Sequence, residues 1–415
     1  MFEGEYLYNW KIKGKEYLKG KLEYEGEYFF DKKWNGKGYD DNGNIIYELI
    51  NGTGKVKNYD RLGKLEYDGE YLNGKKHGKA KEYYSGKLEF EGEYLNGKKN
   101  GFVKEYSSGK LEFEGEYLNG KKSGIGKEYD YSGKLRYEGG YLNDEKNGKG
   151  KEYNYDEIMI YDGEYLNGKK SGKGKEFDKE GNLIFEGEYL NDKKNGEGKI
   201  YEKGKLIVEN HYIDGLLNGK LKEYNYEGVL IFEGECVNGY RNGKGKEYDN
   251  NGKLIFEGEY SNGSRKEGKE YDSQGELIYE GEYSRGKKWG KGKEYNKKEN
   301  SVFEGEFFFG ERTKGKVYVN GKLIFEGGYF GGTSKSGKCK EYDDNGILIF
   351  DGEYNTGEKH GKCKEYDNNG TLIFDGEYSF GKRNGNCKEY NKKGKLIFVG
   401  EYKDGERLKN KCFII

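Results

Sequence analysis

Only three histidines stand among the 415 residues, so a search for acid–base or metal chemistry starts with them. His77 and His360 share one slot of a repeated string, just before the glycine that follows the loop lysines. The same slot elsewhere holds Asn100, Ser123, Asn147, Ser171, Asn195, Asn242, Trp289 and Asn384, the pattern of a solvent-facing turn rather than of a ligand. His211 lies in a degraded copy of another string. Of the five cysteines, Cys339, Cys363 and Cys387 fall 24 residues apart in successive copies of Gly-Lys-Gly-Lys-Glu-Tyr, each replacing the second glycine. Equivalent strands of adjacent hairpins are about 9.6 Å apart, beyond the ~7 Å that a disulfide spans. These thiols are therefore expected to stay reduced, as small core residues; Cys236 replaces a repeated tyrosine and is expected to pack in the same way. Carboxylate pairs such as Glu186 and Glu188 recur in nearly every copy, whereas a glycosidase dyad is a single pair in a cleft. The Gly-x-Gly strings precede no helix, so they are not phosphate loops. No catalytic residue, metal ligand or cofactor site is assigned.

What remains is a set of residues suited to contact. Trp10, Trp34 and Trp289 fall in hairpin loops, and a tryptophan in a turn suits a partner interface. Phe413 lies in the apolar end Cys412-Phe-Ile-Ile415, which is expected to cover the last strand. An uncovered strand at the other end would invite strand addition, so self-association is an expectation as well.

The elements that position these residues follow from one string, aromatic-acid-Gly-Glu-Tyr. Its first residue falls at Phe2, Tyr24, Tyr67, Phe90, Phe113, Tyr137, Tyr161, Phe185, Phe232, Phe256, Tyr279, Phe303, Phe325, Phe350, Phe374 and Phe398, with eroded copies at Tyr47 and Val208. In one unit, Tyr161, Gly163 and Tyr165 alternate with Asp162 and Glu164, the period of a half-buried strand. Leu166-Asn-Gly-Lys-Lys-Ser171 supplies an Asn-Gly turn, and Gly172-Lys-Gly-Lys-Glu-Phe177 a second strand. Glycine at two or three positions of each half-repeat rules out helices, at about 1 kcal/mol apiece. The 72 glycines, 43 tyrosines and 21 phenylalanines thus describe about 36 short antiparallel strands rather than a globular core or a disordered chain. Each glycine between two aromatics leaves a slot over which a ring can lie. In the second strand the final aromatic shares parity with the lysines. Either lysine stems lie on the ring face, or a bulge shifts the parity.

These units resemble MORN (membrane occupation and recognition nexus) repeats, whose pattern is aromatic-x-Gly-x-aromatic, an Asn-Gly-Lys loop, then Gly-x-Gly. The resemblance runs from Phe2 to Tyr402, with tyrosine where the family usually has its second aromatic as tryptophan. It implies an all-β, elongated, twisted, single-layer antiparallel sheet, a solenoid-like meander of hairpins. The expected organisation is a continuous array over 1–402, eroded near 47–66 and 208–231, followed by a tail or cap strand at 403–415. The expected function is that of a non-enzymatic scaffold presenting an extended aromatic and charged surface to protein partners or to itself, as in cytoskeletal or membrane-associated assemblies. A module for phospholipid headgroups, using Lys169-Lys170 and Lys193-Lys194, is the alternative. With 75 basic and 76 acidic residues interleaved, nucleic acid is not an expected partner. No run approaches ~18 apolar residues and cysteines are few, which fits a cytoplasmic protein.

Overall fold

A computed structural model describes residues 1–408. Thirty-six strands, from β1 (Phe2–Leu7) to β36 (Glu406–Arg407), follow one another, and there is no helix among the described residues. The architecture is the all-β, antiparallel hairpin array expected from the repeat. Two compact units are formed, one by Met1–Leu206 with Tyr212–Gly215, the other by Ile207–His211 with the chain from Leu216 onward. Within each sheet, strands pair with their neighbours in chain order.

The unit containing β15 (Met159–Leu166), β16 (Lys169–Phe177) and β17 (Leu183–Leu190) explains why these residues make this sheet. Asn167 and Gly168 both take positive φ, 50° and 79°, as a two-residue hairpin turn requires. The turn is tied to the preceding hairpin, because Gly168 N–H donates to the Lys146 carbonyl at 2.9 Å. At the opposite end Asp178 Oδ1 accepts from the Glu180 and Asn182 amides at 3.0 and 2.8 Å, closing a longer turn. Across the ladder Gly163 faces Gly174, and Gly174 in turn faces Gly187.

The facing glycines let the rings lie flat on the sheet. A methyl group built on Gly174 would sit 2.5 Å from Tyr161 Oη, so the ring occupies the space a side chain would take. Tyr161 meets Tyr165 and Tyr189 edge-on at 5.5 and 5.6 Å. Above it lies Lys170, the second loop lysine, with Nζ 3.9 Å from the ring centroid. The same sandwich of glycine, ring and cation occurs in the second unit, where the Arg383 guanidinium lies 4.0 Å over Phe374. Core-string aromatics such as Tyr161, Phe185 and Phe374 are therefore at most 1% exposed. This corrects the expectation of an aromatic surface left open along the array: the loop cations and neighbouring tyrosines roof it over.

The roof is itself an ionic row. Glu152 receives Lys146 at 3.1 Å and Lys170 at 3.5 Å, one cation from its own hairpin and one from the next. Burial alone would raise the Glu152 carboxyl, but these two lysines hold it below the ordinary glutamate range. In the second unit Glu365 receives Lys359 at 2.8 Å and Arg383 at 2.7 Å.

The parity question resolves in a third way. The lysines leave the ring face, and the final aromatic of the second strand goes with them to the other side. Tyr153 donates there to Glu138 at 2.8 Å and Tyr201 to Glu186 at 2.7 Å. Burial, with the Glu138 bond, pushes the Tyr153 hydroxyl up to about 12. A bulge next to this residue, where Glu176 faces Phe185 but Phe177 faces Leu183, restores the register.

The first eroded copy breaks the ladder. In β5 (Ile45–Leu49) and β6 (Gly54–Tyr59), Leu49 and Val56 occupy the two slots that elsewhere face each other as glycines. Both are buried, at 3% and 2% exposure, and only an isolated bridge between Ile50 and Thr53 links the two strands. β1 to β5 consequently form a sheet of their own. A single replacement does less harm: Ala80 faces Gly69 and Gly92 and keeps the ladder on both sides, and Val103 faces Gly115 while the pairing of its strand with the preceding one resumes at Lys104.

Candidate functional site: the glycine-floored charged face

The face opposite the rings is the open one. Its floor is the backbone of the facing glycines, and its walls are two rows of charge. One row alternates Lys149, Glu164, Lys173 and Glu188, in which Lys149 pairs with Glu164 and Lys173 with Glu188; the other alternates Lys151, Asp162, Lys175 and Glu186, each paired with its neighbour across the ladder. The contacts are loose, as for Lys175 and Glu186 at 3.6 Å, and such exposed pairs each contribute a few tenths of a kcal/mol. In the first unit these walls enclose a trough of about 480 Å³ between Lys149 and Lys199. In the second unit a trough of about 740 Å³ is built in the same way between Lys220 and Lys269, floored by Gly234, Gly245, Gly258 and Gly268.

This arrangement presents alternating charge to whatever meets the face. Carboxylates and amines on the walls neutralise one another, and none is paired with a nucleophile. Among the described residues no group of three His, Cys, Asp or Glu is placed to hold a metal ion. His77 and His360 are not the solvent-facing turn residues expected: each lies half-buried in a strand opposite Glu70 or Glu353, with a buried Nδ1 lacking a hydrogen-bond partner. Cys339, Cys363 and Cys387 are buried cysteines outside any disulfide, in the glycine slots, facing Gly352, Gly376 and Gly400. Burial pushes the Cys363 thiol up to about 12, which leaves it poorly nucleophilic. Cys236 packs in the core and accepts from Asn210 Nδ2 at 3.0 Å.

The tryptophans sit just past the turns, inside strands. Trp10 opens β2 (Trp10–Leu18), is 47% exposed and meets Phe30 at 5.7 Å. Trp34 packs on Phe29 at 5.0 Å and over Gly52. Trp289 packs between Phe308 and Phe309. Trp10 and Trp34 thus join one exposed aromatic cluster with Phe29 and Phe30, while Trp289 belongs to another hairpin. Phe413 lies outside the described residues.

One part of the charged face escaped the sequence reading. Across β9 (Lys87–Leu95), β10 (Lys98–Ser107), β11 (Lys110–Leu118), β12 (Lys121–Tyr129) and β13 (Leu135–Leu142), three wall charges are replaced, while Glu91, Lys104, Glu114, Glu116, Lys127 and Glu138 remain and the strand-end leucines recur as in other copies such as Leu166 and Leu190. Phe102 and Ile125 stand where other copies have a wall lysine, and Gly140 stands where they have a wall glutamate. Leu95, Phe102, Leu118, Ile125 and Leu142 are 44%, 55%, 58%, 63% and 50% exposed. The signal was present in the sequence as Gly101-Phe-Val and Gly124-Ile-Gly in place of Gly-Lys-Gly.

Eleven segments of this architecture match MORN family descriptions. The MORN repeat matches residues 67–87, 90–102, 113–134, 137–156, 161–182, 185–204 and 279–298, and the MORN repeat variant matches 241–262, 335–356, 359–379 and 383–404. The chain belongs to the MORN-repeat family. Its matched segments include copies with Ala80, Cys339, Cys363 or Cys387 in a glycine slot, but pass over the eroded copy near Tyr47, where Leu49 and Val56 fill both facing slots. No curated protein matches the chain significantly. Among solved structures, a chain of the "Crystal Structure of TcdB2-TccC3-Cdc42" is similar over 89% of this MORN protein at 10% identity. The match spans 24% of that chain with a TM-score of 0.12, which carries no argument.

Proposed function

We propose that this MORN-repeat chain is a non-enzymatic scaffold that receives protein partners on its glycine-floored charged face. The observation that carries the reading is the division of labour between the two faces. The ring face is closed by its own cations, while the opposite face keeps its troughs and alternating charges open to solvent. Alternating charge favours a partner of matching pattern and repels others, which suits selective association better than tight general adhesion. Buried, unreactive thiols and unclustered histidines support a role without catalysis, in a reducing compartment such as the cytoplasm.

The lipid-headgroup alternative draws less support. Of each loop lysine pair, the second member is turned inward: Lys170 and Lys194 lie 3.9 Å over Tyr161 and Phe185. Lys169 and Lys193 point away from the rings, but Lys193 lies 3.8 Å from Asp214, and acids of the same face offset both. The test is capture of partners from the source cell by the full chain and by a variant carrying Lys173→Glu, Lys175→Glu, Lys244→Glu and Lys246→Glu, with anionic vesicles sedimented in parallel. Loss of partners from the variant is expected. Full retention by the variant, or binding to vesicles alone, would overturn the scaffold reading.

A further inference from the structure

We infer that the apolar window over β9 to β13 is the docking site for an amphipathic α-helix of a protein partner, laid across the strands. This rests on the scaffold reading above and names the class of partner.

Periodicity supports the inference first. Five consecutive strands each contribute one exposed apolar side chain, in the order Leu95, Phe102, Leu118, Ile125, Leu142. Neighbouring strands are about 4.8 Å apart, so the window offers one apolar contact per ~4.8 Å and spans about 19 Å. A helix presents one apolar residue per turn of 5.4 Å, and about 13 residues cover the same length. An extended segment repeats a face every ~6.8 Å and falls out of step within two contacts. The window also zigzags. Leu95 and Leu118 pair with Lys98 and Lys121 next to the turns, whereas Phe102 pairs with Glu116, farther along the strand. The i, i+3, i+4, i+7 stripe of a helix has the same two-sided form.

Charge supplies the second argument. On the turn side the leucines are flanked by Lys98 and Lys121, both exposed. On the inner side Glu116 faces Phe102 across the ladder, where Glu164 and Glu188 face Lys149 and Lys173. The window therefore asks for acids along one flank of the helix and a basic side chain on the other, opposite Glu116. An apolar patch of this kind, rimmed by charge, is an unusual feature of a surface as polar as this one.

The test uses the full chain and a designed helix of about 18 residues, with leucine once per turn, glutamates on one flank and lysines on the other. A scrambled peptide of the same composition and phosphatidylserine vesicles are the comparisons. The variants are Phe102→Lys with Ile125→Lys, and Leu118→Ser with Leu142→Ser. Lysine occupies the former slots at Lys79 and Lys149, and serine the latter at Ser261 and Ser284, so the hairpins have precedent for both pairs. The helix is expected to bind the unmodified chain in preference to the scrambled peptide, and each variant to weaken it at least about tenfold. Equal binding by the variants, no preference over the scrambled peptide, or binding to vesicles only would overturn the inference. If partner capture is lost with the wall charge reversals while Phe102→Lys with Ile125→Lys leaves helix binding intact, the scaffold reading stands and the helix assignment falls.

Discussion

A lysine in this chain does one of two jobs, decided by a shift of one position. Lys170 folds back over Tyr161 and reaches Glu152, whereas Lys169 points away from the ring face and is exposed. Replacing Lys170 with methionine keeps the apolar stem but removes the cation from the ring and from the carboxylate. The expected cost is about 1–2 kcal/mol, read as a lower thermal midpoint, against under ~0.5 kcal/mol for Lys169→Met. The glycines behave as pairs. Gly174→Ala is expected to cost about 1 kcal/mol, since Tyr161 can shift and Ala80 sits in the same slot of another copy. Gly163→Val combined with Gly174→Val recreates the situation of Leu49 and Val56. It is expected to cost more than the two single changes added, with amide-exchange protection lost in β15 and β16. Additive costs with protection retained would contradict this account of the break. The slot over each glycine was legible from the string itself. The lysine lid was not, because it depends on a loop residue folding back across a strand, which no spacing in the chain encodes.

Hairpins such as those of Glu152, Glu247, Glu294 and Glu365 store polar energy on the ring face as a carboxylate between two cations, with tyrosines around it. That sets their response to pH. In Glu365, burial works to raise the carboxyl, but bonds from Lys359 and Arg383 win and hold it below the usual value, as with Glu152, Glu247 and Glu294. A carboxyl depressed in the folded state contributes stability above its unfolded value of about 4.3 and loses it as pH falls through the folded value. The tyrosines act in the opposite sense. Tyr378 and Tyr248 are pushed up to about 12 by burial and by bonds to Glu365 and Glu233. Their contribution is complete below the ordinary tyrosine value of 10.0 and is lost as pH rises toward 12. Denaturant midpoints measured across pH should therefore hold level through neutrality, fall below about pH 4, and fall again above about pH 10. A midpoint that climbs between pH 10 and 12 would contradict the tyrosine assignments. The strands and both turn types could be read from alternation and Asn-Gly. The face taken by the second strand's aromatic could not, because the bulge beside it depends on how the next hairpin packs.

For the molecule as a whole, repetition makes the exceptions informative. A slot filled by lysine in most copies says little; the same slot filled by Phe102 and Ile125 in successive copies marks a place where the charged face changes character. The repeat, its family and the lack of helix among the described residues were all legible in the chain. Which face stays open to solvent was not. The rings are the most prominent residues in the string, yet cation lids bury them, and the lysines that look like surface decoration form the walls of the troughs. The tryptophans were singled out for their type. Two of the three sit half-buried against neighbouring rings, and only Trp10 keeps nearly half of its surface free.

In the scaffold proposed above, partners meet the glycine-floored face and not the ring face. Amine-reactive labelling of the full chain, with and without a captured partner and read residue by residue by mass spectrometry, tests it most directly. The account predicts that wall lysines such as Lys149, Lys173, Lys175, Lys244 and Lys246 lose reactivity when the partner is bound, while the lid lysines Lys146, Lys170 and Lys194 keep the low reactivity they have in the free chain. Unchanged wall lysines alongside altered lid lysines would contradict it.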